Sequence, residues 1–354
     1  MHFYLHIPFC ESKCHYCAFT SLKKKGYERA YFRALKEDIL FHLERFELSP
    51  NSIKTLFIGG GTPSCADAEH YAEIFELLSP FLQKNAEISS EANPNSASLK
   101  WLKTMKSYGL NRISFGAQSF SEKKLQFLGR IHDAKMVEKA LENAAISGLK
   151  KVNLDLIYDT ALDDKKMLEF ELSHLARLRP LITHLSAYHL ALEPRTAFAK
   201  RPSFKKNAPN LARHFIQAIK NLGFLQYEIS NFAAGKNQIC QHNLAYWQGK
   251  NYLGCGLSAV GFFDKKRFYT HQTLKSYLEN PCFRTEESLS DEDLRLERIF
   301  LGLRSSWGVR KSVLNLEQRK RAQILVRAKK LLFKNSRYHN PNFLLSDALA
   351  LYLA

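Results

Sequence analysis

Several features that would place a chain at once in an obvious class are missing from this one. No run of about 18 apolar residues occurs, so no segment is suited to span a bilayer as a helix. The opening stretch, Met1-His2-Phe3-Tyr4-Leu5-His6-Ile7-Pro8, has no basic region and no apolar core long enough for export, and the expected location is cytoplasmic. Seven cysteines are too few for a disulfide scaffold in a chain of 354 residues. No internal repeat or low-complexity tract stands out. Carboxylates are in deficit, 34 Asp and Glu against 52 Lys and Arg, for a formal charge of +18. Because the cations are spread over most of the chain, the excess suits an ordinary basic surface as well as an anionic partner: nucleic acid, lipid head groups or a ligand bearing carboxylates.

What is present is an ordinary globular composition, 45% hydrophobic and 24% charged, in a chain long enough for a large domain and a smaller one. The first two-thirds alternates short β-type runs with helical patterns. Strands are predicted at Phe3–Ile7, Ile53–Ile58, Ala86–Ser90, Arg112–Phe115, Lys151–Ile157 and Ile182–Tyr188. Between them Tyr31, Leu35, Ile39, Leu43 and Phe46 recur on one helical face, and Gly109 and Gly148 read as helix stops. Alternating β and α elements imply a parallel sheet. Most of the Cys-rich, Gly-rich or polar clusters fall just after a strand, where the loops of a parallel barrel converge on one mouth; this favours a partial barrel over an open sheet. The chain divides into a barrel over 1–230, a connecting segment over 231–284 and a helical domain over 285–354. The last has three helical patterns, and a winged helix, with Phe343-Leu344-Leu345 in a short hairpin wing, is one form it can take.

The strongest chemical signal is Cys10-x3-Cys14-x2-Cys17. Thiolates are soft ligands for iron–sulfur clusters or zinc. A closed zinc site needs four ligands, commonly in two pairs, and only His15 is at hand as a fourth. Three thiolates on a [4Fe–4S] cubane leave one iron open to an exogenous ligand. With Tyr16 before the third cysteine, this spacing resembles the radical S-adenosylmethionine (SAM) signature. The wider match resembles the branch holding oxygen-independent coproporphyrinogen III dehydrogenase and its haem-chaperone relatives. It runs through Tyr4–Cys10, Phe57–Ser64, Glu91-Ala92-Asn93-Pro94, Arg112–Phe120, Leu128–His132 and Asn153–Tyr158, and resumes near 242.

The resemblance implies a partial parallel (β/α)6 barrel, a cluster on Cys10, Cys14 and Cys17, and SAM held by Tyr4, Tyr16, Gly60, Gly61, Thr62, Glu91, Gln118, Arg130, Asp155 and Val260. The residue types suit the task. Glycines let backbone approach a ligand, carboxylates suit amine or ribose groups, and Arg suits a carboxylate. Each alone has a plainer reading: a tight turn for the glycines, an ion pair or helix cap for Glu91 or Asp155, a satisfied core histidine for His6. Two departures stand out. Tyr158-Asp159-Thr160-Ala161-Leu162 replaces a Tyr-Gly-Leu-Pro turn, and Phe19 stands where the dehydrogenase has a further cysteine.

Phe19 points to the chaperone branch, as does Gln241-His242-Asn243-Leu244-Ala245-Tyr246-Trp247, which resembles the chaperones' His-Asn-x-x-Tyr-Trp motif. Imidazole can ligate haem iron, and aromatic faces pack on a macrocycle, which makes His242 a haem-ligand candidate and Cys240 a weaker one. The plainer alternative is a packed loop with a hydrogen-bonded histidine. Three functions follow. The first is a haem chaperone with haem, acceptor apoproteins (membrane-bound ones included) and an electron donor as partners. The second is an enzyme oxidatively decarboxylating porphyrinogen propionates. The third is a radical SAM enzyme modifying nucleic acid. Eleven Lys and Arg against only Glu317 between Arg304 and Arg337 invite the third, but no aromatic-interleaved basic stripe accompanies them, and nucleic acid ranks last.

Overall fold

The computed structural model describes residues 1–23 and 26–354. Six parallel strands follow one another in space as in sequence: β1 (His2–Ile7), β2 (Ile53–Gly60), β3 (Leu82–Ala92), β4 (Arg112–Gln118), β5 (Lys151–Tyr158) and β6 (His184–His189). Each expected strand is present, most of them extended by a few residues. The crossovers carry α1 (Glu28–Arg45), α2 (Ala72–Leu78), α3 (Leu99–Ser107), α4 (Glu122–Leu128), α5 (Ala134–Ile146) and α6 (Lys165–Leu178). Apolar residues such as Leu35, Leu102, Leu141 and Leu175 pack these helices on the sheet. Local chemistry marks the ends. Ser98, Ser121, Asp133 and Asp164 cap N-termini by accepting a backbone N–H, and Gly109 and Gly148 take the left-handed conformation after α3 and α5.

The six strands do not close on themselves. After α7 (Pro209–Asn221), the short β7 (Leu225–Gln226) and β8 (Asn231–Ala233) extend the sheet antiparallel beyond β6. Of the strand-like run Phe224–Ile229, only the two residues of β7 pair as strand. At the other edge, past α8 (Gln241–Trp247), β9 (Tyr252–Cys255) pairs parallel with β1. It is followed by antiparallel β10 (Val260–Phe263), β11 (Lys266–Tyr269), α9 (Leu274–Glu279) and β12 (Thr285–Ser288). Segment 231–284 is therefore built into the same sheet, and Leu253, Cys255, Leu257 and Tyr277 join the main core. Buried Asp38 on α1 fastens this edge. It pairs with Arg284, and accepts from Tyr277 Oη at 3.0 Å and from the Gly256 N–H at 2.9 Å.

The C-terminal part has its own core, in which Ile299, Leu303, Val309, Leu325, Tyr338 and Leu353 take part. It comprises α10 (Asp291–Leu303), β13 (Val309–Arg310), α11 (Leu316–Arg327), β14 (Leu332–Lys334), β15 (Arg337–His339) and α12 (Ser346–Leu353). Three helices with a small antiparallel sheet in the order β13-β15-β14 form a winged-helix arrangement. The hairpin lies at 332–339 and not at Phe343-Leu344-Leu345, which is a 3-10 turn leading into α12. Asn335 and Ser336, both at positive φ, supply the hairpin turn that the sequence reading missed.

Candidate functional site

Parallel strands deliver their C-terminal ends to one mouth, and the loop after β1 crosses it. This loop is pinned at its base: Cys10 N–H donates to Leu22 O at 3.0 Å, and Leu22 N–H to Pro8 O at 2.7 Å. Between these anchors Cys10, Cys14 and Cys17 all face one cavity of about 600 Å³, and none is in a disulfide. Cys10 Sγ lies 3.3 Å from Thr62 Oγ1, and Cys14 Sγ accepts from Arg130 Nη1 at 3.2 Å. Burial pushes the Cys10 and Cys17 thiols up, so a metal binding there has to displace their protons.

The turn after β2 lies against this loop. Gly61 N–H donates to Ile7 O and Thr62 N–H to Phe9 O, both at 2.8 Å. A Cβ on Gly61 would stand 2.7 Å from the Pro8 backbone, and one on Gly60, at φ +113°, 2.8 Å from the His6 ring. The glycines are thus required by the cysteine loop as well as by any ligand approaching it.

Glu91, at the end of β3, accepts the Gly60 N–H at 3.2 Å. Burial, then Asp155, pushes its carboxyl up to about 8. Asp155, on β5, is raised by burial against its hydrogen bonds, among them Asn153 Nδ2 at 2.7 Å and Ser114 Oγ at 3.1 Å. Arg130 reaches the cavity from beyond α4, with Nη2 donating to Asn93 Oδ1 and Gly116 O at 2.6 Å. Gln118 lines the cavity at φ +66°, a left-handed conformation uncommon outside glycine and asparagine. Tyr16 is also in the lining, its hydroxyl held protonated by burial.

The donor set fits the groups the resemblance implies. Among the described residues, one set of three ligand atoms closes to within 4.8 Å: Asp38, His42 and Cys255, where Arg284 already supplies the cation. The three loop thiols stand wider than that, which suits a polynuclear cluster better than a single tetrahedral ion with Zn–S bonds of about 2.3 Å. Two half-buried carboxyls, Glu91 and Asp155, facing the cavity without a cation between them suit a ligand bearing ammonium or sulfonium. Arg130 suits its carboxylate.

Apart from Tyr4 and Val260, all eight expected SAM residues line this cavity with the three cysteines: Tyr16, Gly60, Gly61, Thr62, Glu91, Gln118, Arg130 and Asp155. Tyr4 lines a smaller cavity of about 240 Å³ beneath it, which Glu91, Ser114 and Asp155 share. Val260 begins β10, paired with Tyr269, and lines neither cavity. His6 is a satisfied core group, with Nδ1 3.1 Å from Tyr4 Oη and Nε2 2.9 Å from Thr20 O.

His242 departs from its expected role as an iron ligand in this conformation. Helix α8 packs on β2, where His242 meets Thr55 near the strand's N-terminal end, and His242 and Cys240 line the smaller cavity together with Tyr4 and Phe57. The ring is 1% exposed and stacked on Phe57, with Nδ1 2.7 Å from Thr55 Oγ1 and Nε2 2.9 Å from Tyr246 Oη. Neither nitrogen is free. Cys240 is equally enclosed, 3.4 Å from Glu87 Oε1, and burial pushes its thiol up to about 12. Ser114, Asn153, Ser186, Tyr188 and His189 line these cavities without having been singled out. For all but His189, which directly follows Tyr188, the signal was polar residues two apart on β4, β5 and β6, one face of each strand.

Residues 4–170 match the radical SAM superfamily. The chain is 32% identical over 328 residues to the haem chaperone HemW of Bacillus subtilis, covering 87% of this chain and 84% of that one. It is 36% identical over 315 residues to HemW of Haemophilus influenzae, covering 83% and 80%. Its fold is similar to the solved structure of coproporphyrinogen III oxidase (HemN) from Escherichia coli, a radical SAM enzyme, at a TM-score of 0.81, with 22% identity over 99% of this chain and 89% of that one. The cysteine loop, the carboxyl-lined cavity and these similarities agree: the chain carries a radical SAM domain and belongs to the HemW family of haem chaperones.

Proposed function

We propose that this protein is a haem chaperone, binding haem together with a [4Fe–4S] cluster and SAM and delivering the haem to acceptor proteins. Cys10, Cys14 and Cys17 hold the cluster. Tyr16, Gly60, Gly61, Thr62, Glu91, Gln118, Arg130 and Asp155 form the SAM pocket, with Tyr4 beneath it. When bound, the cluster supplies the electron that can break a C–S bond of SAM. The chain's own residues do the rest: Glu91 and Asp155 offer carboxyls to a cation, Arg130 orients a carboxylate and hydrogen-bonds the Cys14 sulfur, and Phe19 and Tyr188 wall the mouth. Residues 1–230 act as the radical SAM module, 231–284 join it to the remainder, and 285–354 form the appended helical domain. An electron donor and haem-accepting apoproteins, membrane-bound ones included, complete the system. No helix is long and apolar enough to cross a membrane among the described residues, which is compatible with a cytoplasmic carrier.

The observation that carries this reading over the decarboxylase is Phe19. It stands 68% exposed at the rim of the cluster cavity, two residues past Cys17, as an apolar surface in the place of a fourth thiol. Anaerobic haem titration of the reconstituted protein should give a Soret band, with no consumption of coproporphyrinogen III under reducing conditions with SAM. Turnover of the porphyrinogen would put the enzyme first.

A further inference from the structure

A carrier of haem needs a ligand for its iron, and with His242 enclosed the structure offers another. Among the described residues that line the cluster cavity there is one histidine, His189, at the C-terminal end of β6. Its side chain is 47% exposed, and Nε2 lies 2.8 Å from the carboxylate of buried Asp159. Nδ1 has no partner among the described residues. A carboxylate behind one ring nitrogen fixes the tautomer and the ring's orientation, and makes the other nitrogen a better donor to a metal. We infer that His189, positioned by Asp159, is an axial ligand to the iron of haem bound at the mouth of the barrel. The inference rests on the haem-binding function proposed above.

Two further observations converge on this site. Asp159 sits at φ +65°, in the turn that departs from the Tyr-Gly-Leu-Pro pattern, and it occupies the glycine's position. A non-glycine residue in the left-handed region is strained, and such strain gathers where a side chain is needed. Here Oδ2 stands 2.8 Å from His189 Nε2 and has no other partner among the described residues, while Oδ1 accepts the Ala208 N–H at 3.0 Å and ties down the loop after β6. The surroundings also match a flat apolar macrocycle with two carboxylates. Phe19, Tyr188 and Leu190 supply apolar wall, Lys13 lines the same cavity, and the loop that follows β6 carries Arg195, Lys200 and Arg201 around a cavity of its own. Burial and nearby Lys205 lower the His189 pKa against the pull of Asp159, which keeps the imidazole in the neutral form that binds iron.

The test is a haem titration of the full-length protein, followed by absorption and electron paramagnetic resonance, on wild type, His189→Ala, His189→Gln, Asp159→Asn and His242→Ala. Cluster content and circular dichroism report whether each variant folds. His189→Ala and His189→Gln should shift the Soret band and weaken binding, and added imidazole should restore the wild-type spectrum to His189→Ala. Asp159→Asn should keep the band but weaken binding about tenfold, the usual scale for losing the group behind a ligating histidine. His242→Ala should retain the wild-type spectrum. A folded His189 variant with unchanged spectrum and affinity would overturn the assignment, as would loss of the wild-type spectrum in His242→Ala alone. A wild type with no Soret band would instead remove the haem-binding function itself.

Discussion

Glu91 gives the sharpest test of the pocket. Its carboxyl faces the cavity with Asp155 and accepts the uncharged Gly60 N–H, and burial, then Asp155, pushes it up to about 8, out of the ordinary carboxylate range. At pH 7 about one molecule in ten then carries it ionised, and each pH unit below that removes a further factor of about ten. If a cationic part of SAM binds the ionised form, binding expels a proton. The apparent affinity should rise about tenfold per unit as the pH climbs from 6 to 7 and level off above about 8. Calorimetry of SAM binding to the cluster-loaded protein, in buffers of different ionisation enthalpy, counts the protons directly. Close to one should leave per SAM at pH 7 in wild type, and fewer in Glu91→Gln, whose affinity should lose most of this pH dependence. The ligand's own titration is common to both proteins and cancels in the comparison. The same shift has a sign for stability without ligand. A carboxyl whose folded pKa is raised favours the protonated folded form, so its contribution falls as pH rises from the ordinary carboxylate range through about 8. An equal proton count in wild type and Glu91→Gln would refute the reasoning.

Three more outcomes follow from the geometry. Reconstituted protein should hold about four irons, and Cys14→Ala should lose the cluster's charge-transfer absorption; an unchanged spectrum in the triple Cys10, Cys14 and Cys17 alanine variant would contradict the assignment of the loop. Gly61→Val should lower cluster content as well as SAM affinity, because its Cβ meets the Pro8 backbone at 2.7 Å and pushes on the cysteine loop; iron analysis showing full loading would mean that the turn adjusts freely. Lys124→Met should destabilise the fold by about 3–5 kcal/mol, since it leaves Asp163 and Glu171, now 2.7 and 3.6 Å from the ammonium, as buried carboxylates without their cation. Denaturant titration measures that loss, and a value under about 1 kcal/mol would show that one of the acids simply takes up a proton.

The sequence by itself determined the elements whose causes are local. The six strands appear as short apolar runs, the helix stops at Gly109 and Gly148 follow from backbone freedom, and the cluster ligands stand together in eight consecutive positions, Cys10 to Cys17. The Glu91, Arg130 and Asp155 positions were legible only through resemblance, because residues 39 and 25 apart meet through the parallel order of β3, β4 and β5, which no local pattern specifies. Tertiary structure alone decided which end of the barrel each motif occupies. The His242 motif reads in sequence either as a haem ligand or as a packed loop with a hydrogen-bonded histidine, and the fold decides for packing: beside β9 and β1, Thr55 and Tyr246 take both ring nitrogens. His189 reads as an ordinary strand-end residue and becomes notable only because Asp159, thirty residues earlier on the neighbouring strand's turn, comes within 2.8 Å of it. A side chain's chemistry is fixed by its type, but its availability is fixed by what the fold places against it.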